Sequence, residues 1–238
     1  MPEFELFDGD CLDVLPGLDS KLVDCVVTDP PFAFAGGISN GMTSRADSQF
    51  FVHWLTDVCK HLIRVTKDCG CMFFWCDWKT VGPISTALTA ASEPYRPWGV
   101  SQLIVHDREM LGMGRPFRNQ CDFIAFARNK KTQIERIPKT TSNVVRQYFY
   151  YGKHPHHPAE KSLDVARHVV QWACDEGGVV LDPFCGSGTI PMAAVLERRT
   201  AIGIETDRGH ANVARLRFSR HLPCAEVTSP LLKKIQPG

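Results

Sequence analysis

The stretch LDPFCGSGT, residues Leu181–Thr189, carries the strongest fold signal in this chain. Its Asp182 places a hydrogen-bond acceptor at the end of an apolar run, and Gly186 and Gly188 let the backbone approach a ligand at the start of a helix. No Gly-Lys-Ser/Thr follows, and Pro191 stands where the third glycine of a G-x-G-x-x-G fingerprint would be. The stretch therefore predicts a turn from strand to helix that holds a ligand without a pyrophosphate.

An acidic residue downstream indicates the kind of ligand. Glu205 lies seventeen residues beyond Gly188, at the end of the apolar run IGIE. A carboxylate at that position can accept hydrogen bonds from both hydroxyls of a ribose. A nucleoside without a pyrophosphate fits S-adenosylmethionine better than NAD. An NAD-dependent oxidoreductase is the weaker alternative, because the third glycine and any hydride-transfer dyad are lacking.

Apolar strands alternate with amphipathic helices on both sides of this stretch. The alternation predicts a doubly wound, mostly parallel α/β sheet with its ligand at the carboxyl edge. Strands are expected at 4–7, 23–28, 71–76, 98–105, 121–127, 179–181 and 200–204. Helices are expected at 51–65, 81–91, 162–174, 190–196 and 209–218. Between 128 and 158 the periodicity fails and basic and aromatic residues dominate, which indicates an insertion.

A second motif, TDPPF at residues 28–32, begins at the last residue of the strand expected at 23–28. Pro30 and Pro31 stiffen the backbone and remove two N–H donors, so the carbonyl groups point one way. Asp29 and the Pro30 carbonyl can then accept both N–H bonds of an amino group, while Phe32 offers a flat face to a base. Accepting both bonds favours a pyramidal nitrogen whose lone pair can attack a methyl sulfonium. The motif predicts methylation of an exocyclic amine.

Composition excludes several classes of protein. The chain has 238 residues, 44% of them hydrophobic, and a net charge of +1, which excludes disorder as the main state. No apolar run is long enough for a spanning helix. We expect no secretory signal, because the first residues are acidic and include no apolar core. The ten cysteines form no C-x-x-C pair and are expected to be mostly buried free thiols. We expect no metal, including at the histidines of 154–157, which lack suitably spaced Cys or Asp partners.

With both motifs in view, the sequence resembles the amino-methyltransferase family of DNA methylases in its β-class permutation, in which the catalytic motif precedes the cofactor motif. The resemblance implies a Rossmann-like S-adenosylmethionine-dependent fold. It divides the chain into a catalytic half (1–127), a target-recognition insertion (128–158), a cofactor-binding half (159–220) and a tail (221–238). It also implies a cytoplasmic enzyme of bacterial or phage origin.

The resemblance assigns roles to individual residues. Asp29 and Pro30 would hold the target amine, Pro31 completes the catalytic motif, and Phe32 would stack on the flipped base. The family's H-P-x-x-K stretch corresponds to His157–Lys161, although Ser162 replaces the usual following proline. Asp10 and Cys11 would flank the cofactor's adenine, and Glu205 would bind its ribose. The other cofactor-binding residues would be Asp29, Lys161, Ser162, Asp182, Phe184, Gly186, Ser187, Gly188 and Thr189.

Two further positions differ from the family pattern. Val105–Arg108 stands where a Trp-x-Lys stretch is usual, and Asp122 stands where a glutamate is expected. Both differences concern the target pocket and leave the cofactor motif unaffected.

The distribution of charge suggests where DNA binds. Residues 1–50 hold nine acids and two bases, whereas residues 108–161 hold eleven bases and four acids. The basic segment, interleaved with tyrosines, is a candidate contact with double-stranded DNA. Its nucleic-acid-binding residues are expected to be Arg115, Arg118, Lys130, Lys131, Lys139 and Arg146. Because this surface is small, we expect either recognition of a short site or a homodimer whose second subunit clamps the duplex, and the homodimer is favoured.

The sequence thus predicts a DNA methyltransferase that acts on the N6 amine of a flipped adenine. A cytosine-N4 enzyme is the nearest alternative, and a catalytically silent DNA-binding module is an alternative of another class. Methylases of RNA bases or of protein glutamine are less favoured, because they generally place the cofactor motif first.

Overall fold

The computed structural model describes residues 3–31, 45–92, 97–112, 114–146 and 161–221. Phe32, the histidines at 154, 156 and 157, and the predicted tail beyond residue 221 lie outside these ranges. Among the described helices, none combines the length and the apolar character that crossing a membrane requires.

One sheet of eight strands forms the centre of the described structure. Their order across the sheet is β1-β8-β7-β2-β3-β5-β4-β6. All neighbours pair in parallel except β5, which is antiparallel to both β3 and β4. The strands are β1 (Phe4–Asp8), β2 (Val23–Thr28), β3 (Thr66–Cys76), β4 (Gly99–Asp107), β5 (Cys121–Arg128), β6 (Val144–Arg146), β7 (Val179–Asp182) and β8 (Thr200–Glu205).

Helices cover both faces of the sheet. They are α1 (Cys11–Val14), α2 (Arg45–Val65), α3 (Val81–Ala91), α4 (Leu163–Ala173), α5 (Thr189–Leu196) and α6 (Arg208–His221). The first three pack into one hydrophobic core, through residues such as Leu55 and Leu88. The last three pack into a second core on the opposite face, through residues such as Val169 and Phe218. The predicted doubly wound α/β architecture is confirmed.

The main differences from the sequence prediction are in α2, β3 and β6. Helix α2 begins at Arg45, six residues before the predicted start at 51. Strand β3 begins at Thr66, directly after α2, and therefore starts five residues before the apolar run at 71–76. Strand β6 lies inside the segment 128–158, which was expected to be an insertion without core structure. It pairs in parallel with β4, with Val145 opposite His106, and extends the sheet at its edge. A three-residue strand is too short to show an alternating pattern in the sequence.

Candidate active site

The two predicted motifs meet at the carboxyl edge of the sheet. Strand β2 pairs with β7, so the residues that end these strands are neighbours although they are 154 positions apart. Thr28 Oγ1 donates a hydrogen bond of 2.6 Å to Asp182 Oδ1, and both residues are buried. Thr28 was not singled out from the sequence, although it directly precedes the catalytic motif. Its bond joins the DPPF segment to the loop after β7.

Burial controls the charge of Asp182. It raises the pKa of this carboxyl to about 7, an effect that the nearby charges of Asp29 and Glu205 increase. The hydrogen bonds from Thr28 and from the Phe184 amide act in the opposite direction. The amide bond, 3.2 Å long, also fixes the start of the loop after β7. Asp182 is therefore a structural acceptor whose charge changes near neutral pH.

Asp29 lies between a lysine and an open cleft. Lys161 Nζ approaches its Oδ2 at 3.1 Å, and both side chains are largely buried. Its Oδ1 is buried and accepts no hydrogen bond within the described residues. Burial raises the pKa of Asp29, and the Lys161 ammonium lowers it. One carboxylate oxygen is thus held by the protein, and the other is available to a ligand.

The two glycines of the cofactor loop have different environments. Both have positive φ, +54° at Gly186 and +83° at Gly188, a conformation that favours glycine. A Cβ at Gly186 would meet only open space, which leaves room for a ligand against the backbone. A Cβ at Gly188 would lie 3.1 Å from Ala214 Cβ and 3.3 Å from Phe218 Cε2. Gly188 is therefore required by packing against α6, a reason that the sequence pattern could not show.

Glu205 is fixed by backbone amides on both oxygens. Its Oε2 accepts from Gly186 N and its Oε1 from Asp207 N, each at 2.8 Å. Each carboxylate oxygen has two lone pairs, so each can accept one more hydrogen bond. The Gly9 amide donates to the Glu205 carbonyl at 3.0 Å, which joins the turn after β1 to the end of β8.

A partly open cleft brings together most of the predicted cofactor residues. It is lined by Asp29, Lys161, Asp182, Phe184, Cys185, Gly186, Ser187, Thr189 and Ile190. Ser162 follows Lys161 and starts α4, where its carbonyl accepts the Ala166 amide at 3.0 Å. Asp10 and Cys11 lie outside the lining of this cleft. Asp10 accepts from the Leu12 amide at 2.8 Å and caps α1, and burial raises the pKa of the Cys11 thiol to about 12.

Two further residues support the cleft and were not found from the sequence. The ring of Trp54, on α2, lies 5.5 Å from the ring of Phe184 and supports it from one side. Arg217, on α6, donates to Thr189 Oγ1 at 3.0 Å. Both contacts join distant parts of the chain, and neither residue stands in a motif.

The six predicted DNA-binding residues lie in two groups. Arg115 and Arg118 are in the loop between β4 and β5, and Arg146 ends β6, so these three lie at the carboxyl edge with Asp29. Lys130, Lys131 and Lys139 follow the end of β5. Because β5 runs antiparallel, its end lies at the amino edge, roughly 25 Å from its start. The expected single basic surface is thus corrected to two separate groups.

Local contacts confirm this separation. The Gln133 amide donates to the Cys69 carbonyl in the first half of β3, and Arg136 donates to the Ala173 carbonyl at the end of α4. Arg118 uses Nε and Nη2 to hold the carbonyls of Gly112 and Leu111, both at 2.8 Å. That guanidinium is therefore largely engaged in holding its own loop.

A buried histidine lies on β4, outside the residues that line the cleft. His106, on β4, is 2% exposed, and its Nδ1 lies 3.9 Å from Asp122 Oδ2 on β5. Arg108 Nε lies 3.7 Å from the same carboxylate oxygen. Asp122 and Val105–Arg108, the two stretches that differ from the family pattern, are thus in contact with each other.

These groups suit a nucleoside with a charged amino-acid end. Glu205 has free lone pairs for ribose hydroxyls, the open side of Gly186 gives close access to the backbone, and Asp29 keeps one buried acceptor. A doubly wound sheet with a half-paired, buried carboxylate beside such a cleft is the arrangement expected of an S-adenosylmethionine-dependent amino-methyltransferase.

Comparison with known proteins identifies the family. The chain belongs to the N6/N4 family of DNA methylases, whose model matches residues 23–216. The expected fold, enzyme class and S-adenosylmethionine cofactor are thereby confirmed. The chain is 27% identical over 199 residues to YubD of Escherichia coli K12, a methylase by its name, which covers 83% of this chain and 82% of YubD.

Two solved structures share the fold. TTHA0409 of Thermus thermophilus, complexed with S-adenosylmethionine, superposes with a TM-score of 0.73 at 21% identity and covers 93% of this chain and 97% of its own. The cytosine-N4-specific PvuII DNA methyltransferase gives 0.76 at 13% identity and covers 92% of this chain and 87% of its own.

Proposed function

We propose that this DNA methyltransferase transfers the methyl group of S-adenosylmethionine to the N6 amine of an adenine flipped out of double-stranded DNA. The observation that carries the proposal is the buried Oδ1 of Asp29, which accepts no hydrogen bond within the described residues. Leaving a buried acceptor unpaired is unfavourable by about 1–3 kcal/mol. An amine N–H in the cleft would remove this penalty.

Asp29 and its lysine set the geometry of the reacting amine. Lys161 holds Oδ2 at 3.1 Å, so the carboxylate cannot rotate freely and Oδ1 keeps its direction. Oδ1 and the Pro30 carbonyl accept the two N–H bonds, which leaves the nitrogen lone pair free to attack. S-adenosylmethionine, when bound, supplies an electrophilic methyl group. Burial raises the pKa of Asp29, which makes this carboxylate a better acceptor for the departing amine proton than an exposed one.

The other assignments follow from the cleft and the family. Glu205 would bind the ribose hydroxyls through its remaining lone pairs. Gly186, Ser187, Thr189 and Phe184 would line the cofactor. Asp10 and Cys11, next to the Gly9 amide that bonds to the Glu205 carbonyl, would flank the cofactor's adenine. Stacking of the flipped base on Phe32 stays a prediction, as does a homodimer.

The choice of adenine rests on Asp29. Adenine methylases that resemble this chain more often carry aspartate at the first motif position, whereas cytosine-N4 enzymes more often carry serine. Cytosine-N4 methylation is the second candidate, favoured by the fold shared with the PvuII enzyme. The unpaired oxygen of Asp29 suits the exocyclic amine of adenine and that of cytosine equally, so it does not discriminate between the two bases.

Sequencing of host DNA tests this proposal. The chain is expressed in a host without other methylases, alongside Asp29→Ala, which removes both carboxylate oxygens, as the inactive control, and modified bases are mapped. We expect N6-methyladenine at one short site in cells with the wild-type chain only. Detection of N4-methylcytosine alone would contradict the adenine target and keep the amine chemistry. A wild-type chain that transfers no labelled methyl group to any DNA would favour the catalytically silent module.

A further inference from the structure

The loop that joins β4 to β5, residues 108–120, lies beside the catalytic carboxylate. Strand β3 separates β2 from β5, with Thr28 opposite Phe74 and Cys76 opposite Phe123. Adjacent strands are about 4.8 Å apart, so the start of β5 is displaced sideways from Asp29 by about 10 Å. This β4–β5 loop therefore leaves the sheet on the same edge as the cleft, at a distance that a DNA duplex can span.

The described part of this loop is fixed by internal hydrogen bonds. The Gly112 amide donates to the Asn119 carbonyl at 2.7 Å. The Arg118 guanidinium donates to the carbonyls of Leu111 and Gly112, which flank that amide along the chain. Arg108 Nη2 also donates to the Asn119 carbonyl, at 3.0 Å. At Gly114, with φ +149°, a Cβ would lie 2.5 Å from the Phe117 carbonyl oxygen. The close contacts hold the two arms of the loop together.

This fixed loop exposes apolar side chains. Phe117 is 87% exposed, more than any other large hydrophobic residue among those described. Met110 and Leu111, on the other arm, are 52% and 57% exposed. No described residue covers the Phe117 ring, and the hydrogen bonds hold the two arms of the loop in this arrangement. An exposed apolar group held in this way indicates a contact surface.

We propose that Phe117 is a wedge that enters the base stack of the substrate duplex and fills the space left by the flipped base. The proposal rests on the proposed function, because it assumes that the substrate is duplex DNA. A base must leave the stack before its amine can reach Asp29, and the enzyme must offset the lost stacking. Apolar side chains inserted between base steps do this in other DNA-binding proteins.

Charge around the ring favours DNA as the occupant. Arg115, two residues before Phe117, is exposed, and Arg146 is exposed at the end of the neighbouring strand β6. Both can contact phosphates on either side of an inserted ring. A second copy of this chain is the other possible cover for Phe117, and the experiment below separates the two.

The test uses the intact chain and duplexes that carry the site found by sequencing host DNA. The target base is replaced by 2-aminopurine for adenine, or by pyrrolocytosine for cytosine, to report unstacking by fluorescence. Phe117→Ala is compared with Phe117→Trp and with Leu216→Ala, which removes a similarly exposed side chain on α6. Methyl transfer is measured on separate duplexes that keep the natural target base, one fully paired and one with an abasic site opposite the target.

We expect Phe117→Ala to reduce the fluorescence change and to slow methylation of the paired duplex by about tenfold or more. Its defect should shrink to within about threefold on the duplex with the abasic site, where unpairing is already complete. Phe117→Trp should restore flipping, and Leu216→Ala should match the wild type. Affinity for S-adenosylmethionine should be the same in all four proteins.

Three outcomes would overturn the wedge. Wild-type rates for Phe117→Ala would show that the ring takes no part, and equal losses on both duplexes would show a contact other than insertion. Loss of a dimer in Phe117→Ala without rescue by the abasic site would assign the ring to a second copy. In each of these cases the wild-type chain still methylates DNA, so the proposed function stands. A wild-type chain that neither flips nor methylates DNA would contradict both proposals.

Discussion

Strand β2 has an aspartate near each of its ends, and the two carboxylates differ in how many of their oxygens have a partner within the protein. At the amino edge, Asp24 Oδ1 accepts from Lys67 Nζ and Oδ2 accepts from the Val179 amide, both at 2.8 Å. At the carboxyl edge, Asp29 has Lys161 on Oδ2 and no described partner on its buried Oδ1. The fold can therefore satisfy both oxygens of a carboxylate on this strand. At Asp29 one oxygen has no described partner, and this oxygen indicates where a substrate would bind.

The largest expected effect comes from exchanging each of these aspartates for asparagine. Asp29→Asn leaves one acceptor oxygen for two donors, the Lys161 ammonium and the reacting amine, and turns the other oxygen into an NH2 group. It should slow methyl transfer by about 100- to 1,000-fold, the range for one catalytic hydrogen-bonding group. Asp24→Asn serves as the control. It should leave the rate unchanged and lower the free energy of unfolding by about 1 kcal/mol, because its partners are structural. The measurements are labelled methyl transfer and urea unfolding of both variants.

The proposed contrast between the two aspartates would be wrong if both variants lost the same amount of methyl-transfer activity. Equal loss of activity would mean that the amino edge contributes to catalysis. A fully active Asp29→Asn variant would mean that a single acceptor oxygen is enough and that a second, held by Lys161, is not needed.

The glycines of the cofactor loop permit a similar contrast. Gly188→Ala combines unfavourable positive φ with close contacts to α6, and we expect it to lower the free energy of unfolding by about 2–4 kcal/mol. Gly186→Ala has the strain without the contacts, so its loss should be about 1–2 kcal/mol. Its added methyl faces open space and should weaken S-adenosylmethionine binding. Thermal unfolding and calorimetry of the two variants measure both quantities, and a more stable Gly188→Ala would contradict the packing argument.

Stability of the protein should depend on pH through Asp182. Its pKa is raised to about 7 by burial, whereas an unfolded chain would show the ordinary value near 3.8. Between these values the folded state keeps a proton that the unfolded state has lost. The free energy of unfolding should therefore decrease as pH rises from about 4 to about 7. Asp182→Asn should show a flatter dependence across this window in urea unfolding at several pH values.

Thr28→Val provides the control for this pH dependence. The hydrogen bond from Thr28 lowers the pKa of Asp182, so its removal should move the upper end of the window to higher pH. Identical pH profiles for the wild type and Asp182→Asn would show that this carboxyl does not contribute.

The sequence predicted those parts of the site that depend on neighbouring residues. Apolar runs identified the strands, and the DPPF and DPFCGSGT motifs placed Asp29 and Asp182 at strand ends. Contacts between distant segments were not predictable in this way. Nothing in the pattern pairs Trp54 with Phe184, or shows that Gly188 is required by Phe218 rather than by a ligand. Such constraints depend on how helices pack over the sheet.

Strand direction was the other feature of the fold that the sequence could not predict. The apolar run at 121–127 correctly predicted β5, but hydrophobicity does not show whether a strand is parallel or antiparallel. Because β5 reverses, the basic residues after it lie at the amino edge and those before it at the carboxyl edge. The basic residues of one sequence segment therefore lie on two separate surfaces, one at each edge of the sheet.

The smallest expected effects concern these two groups of basic residues. Arg115→Ala with Arg146→Ala removes two exposed cations from the carboxyl edge and should weaken duplex binding severalfold. The slope of log affinity against log salt should flatten by about one unit for each phosphate that is no longer neutralised. The triple variant Lys130→Ala, Lys131→Ala and Lys139→Ala should keep both affinity and slope, because its side chains lie at the other edge. Titration of a labelled duplex at several salt concentrations measures both.

The triple variant decides between two paths for the duplex. Packed side chains cover both faces of the sheet, so a duplex cannot pass through it. The length of β5, roughly 25 Å, separates the amino-edge lysines from the start of this strand near Asp29. A duplex seated over the cleft cannot contact both groups unless it bends around the sheet or is shared with a second copy of the chain. A flattened salt slope in the triple variant would therefore reject a single straight duplex at the carboxyl edge. An unchanged slope would confine DNA binding to the edge that carries Asp29.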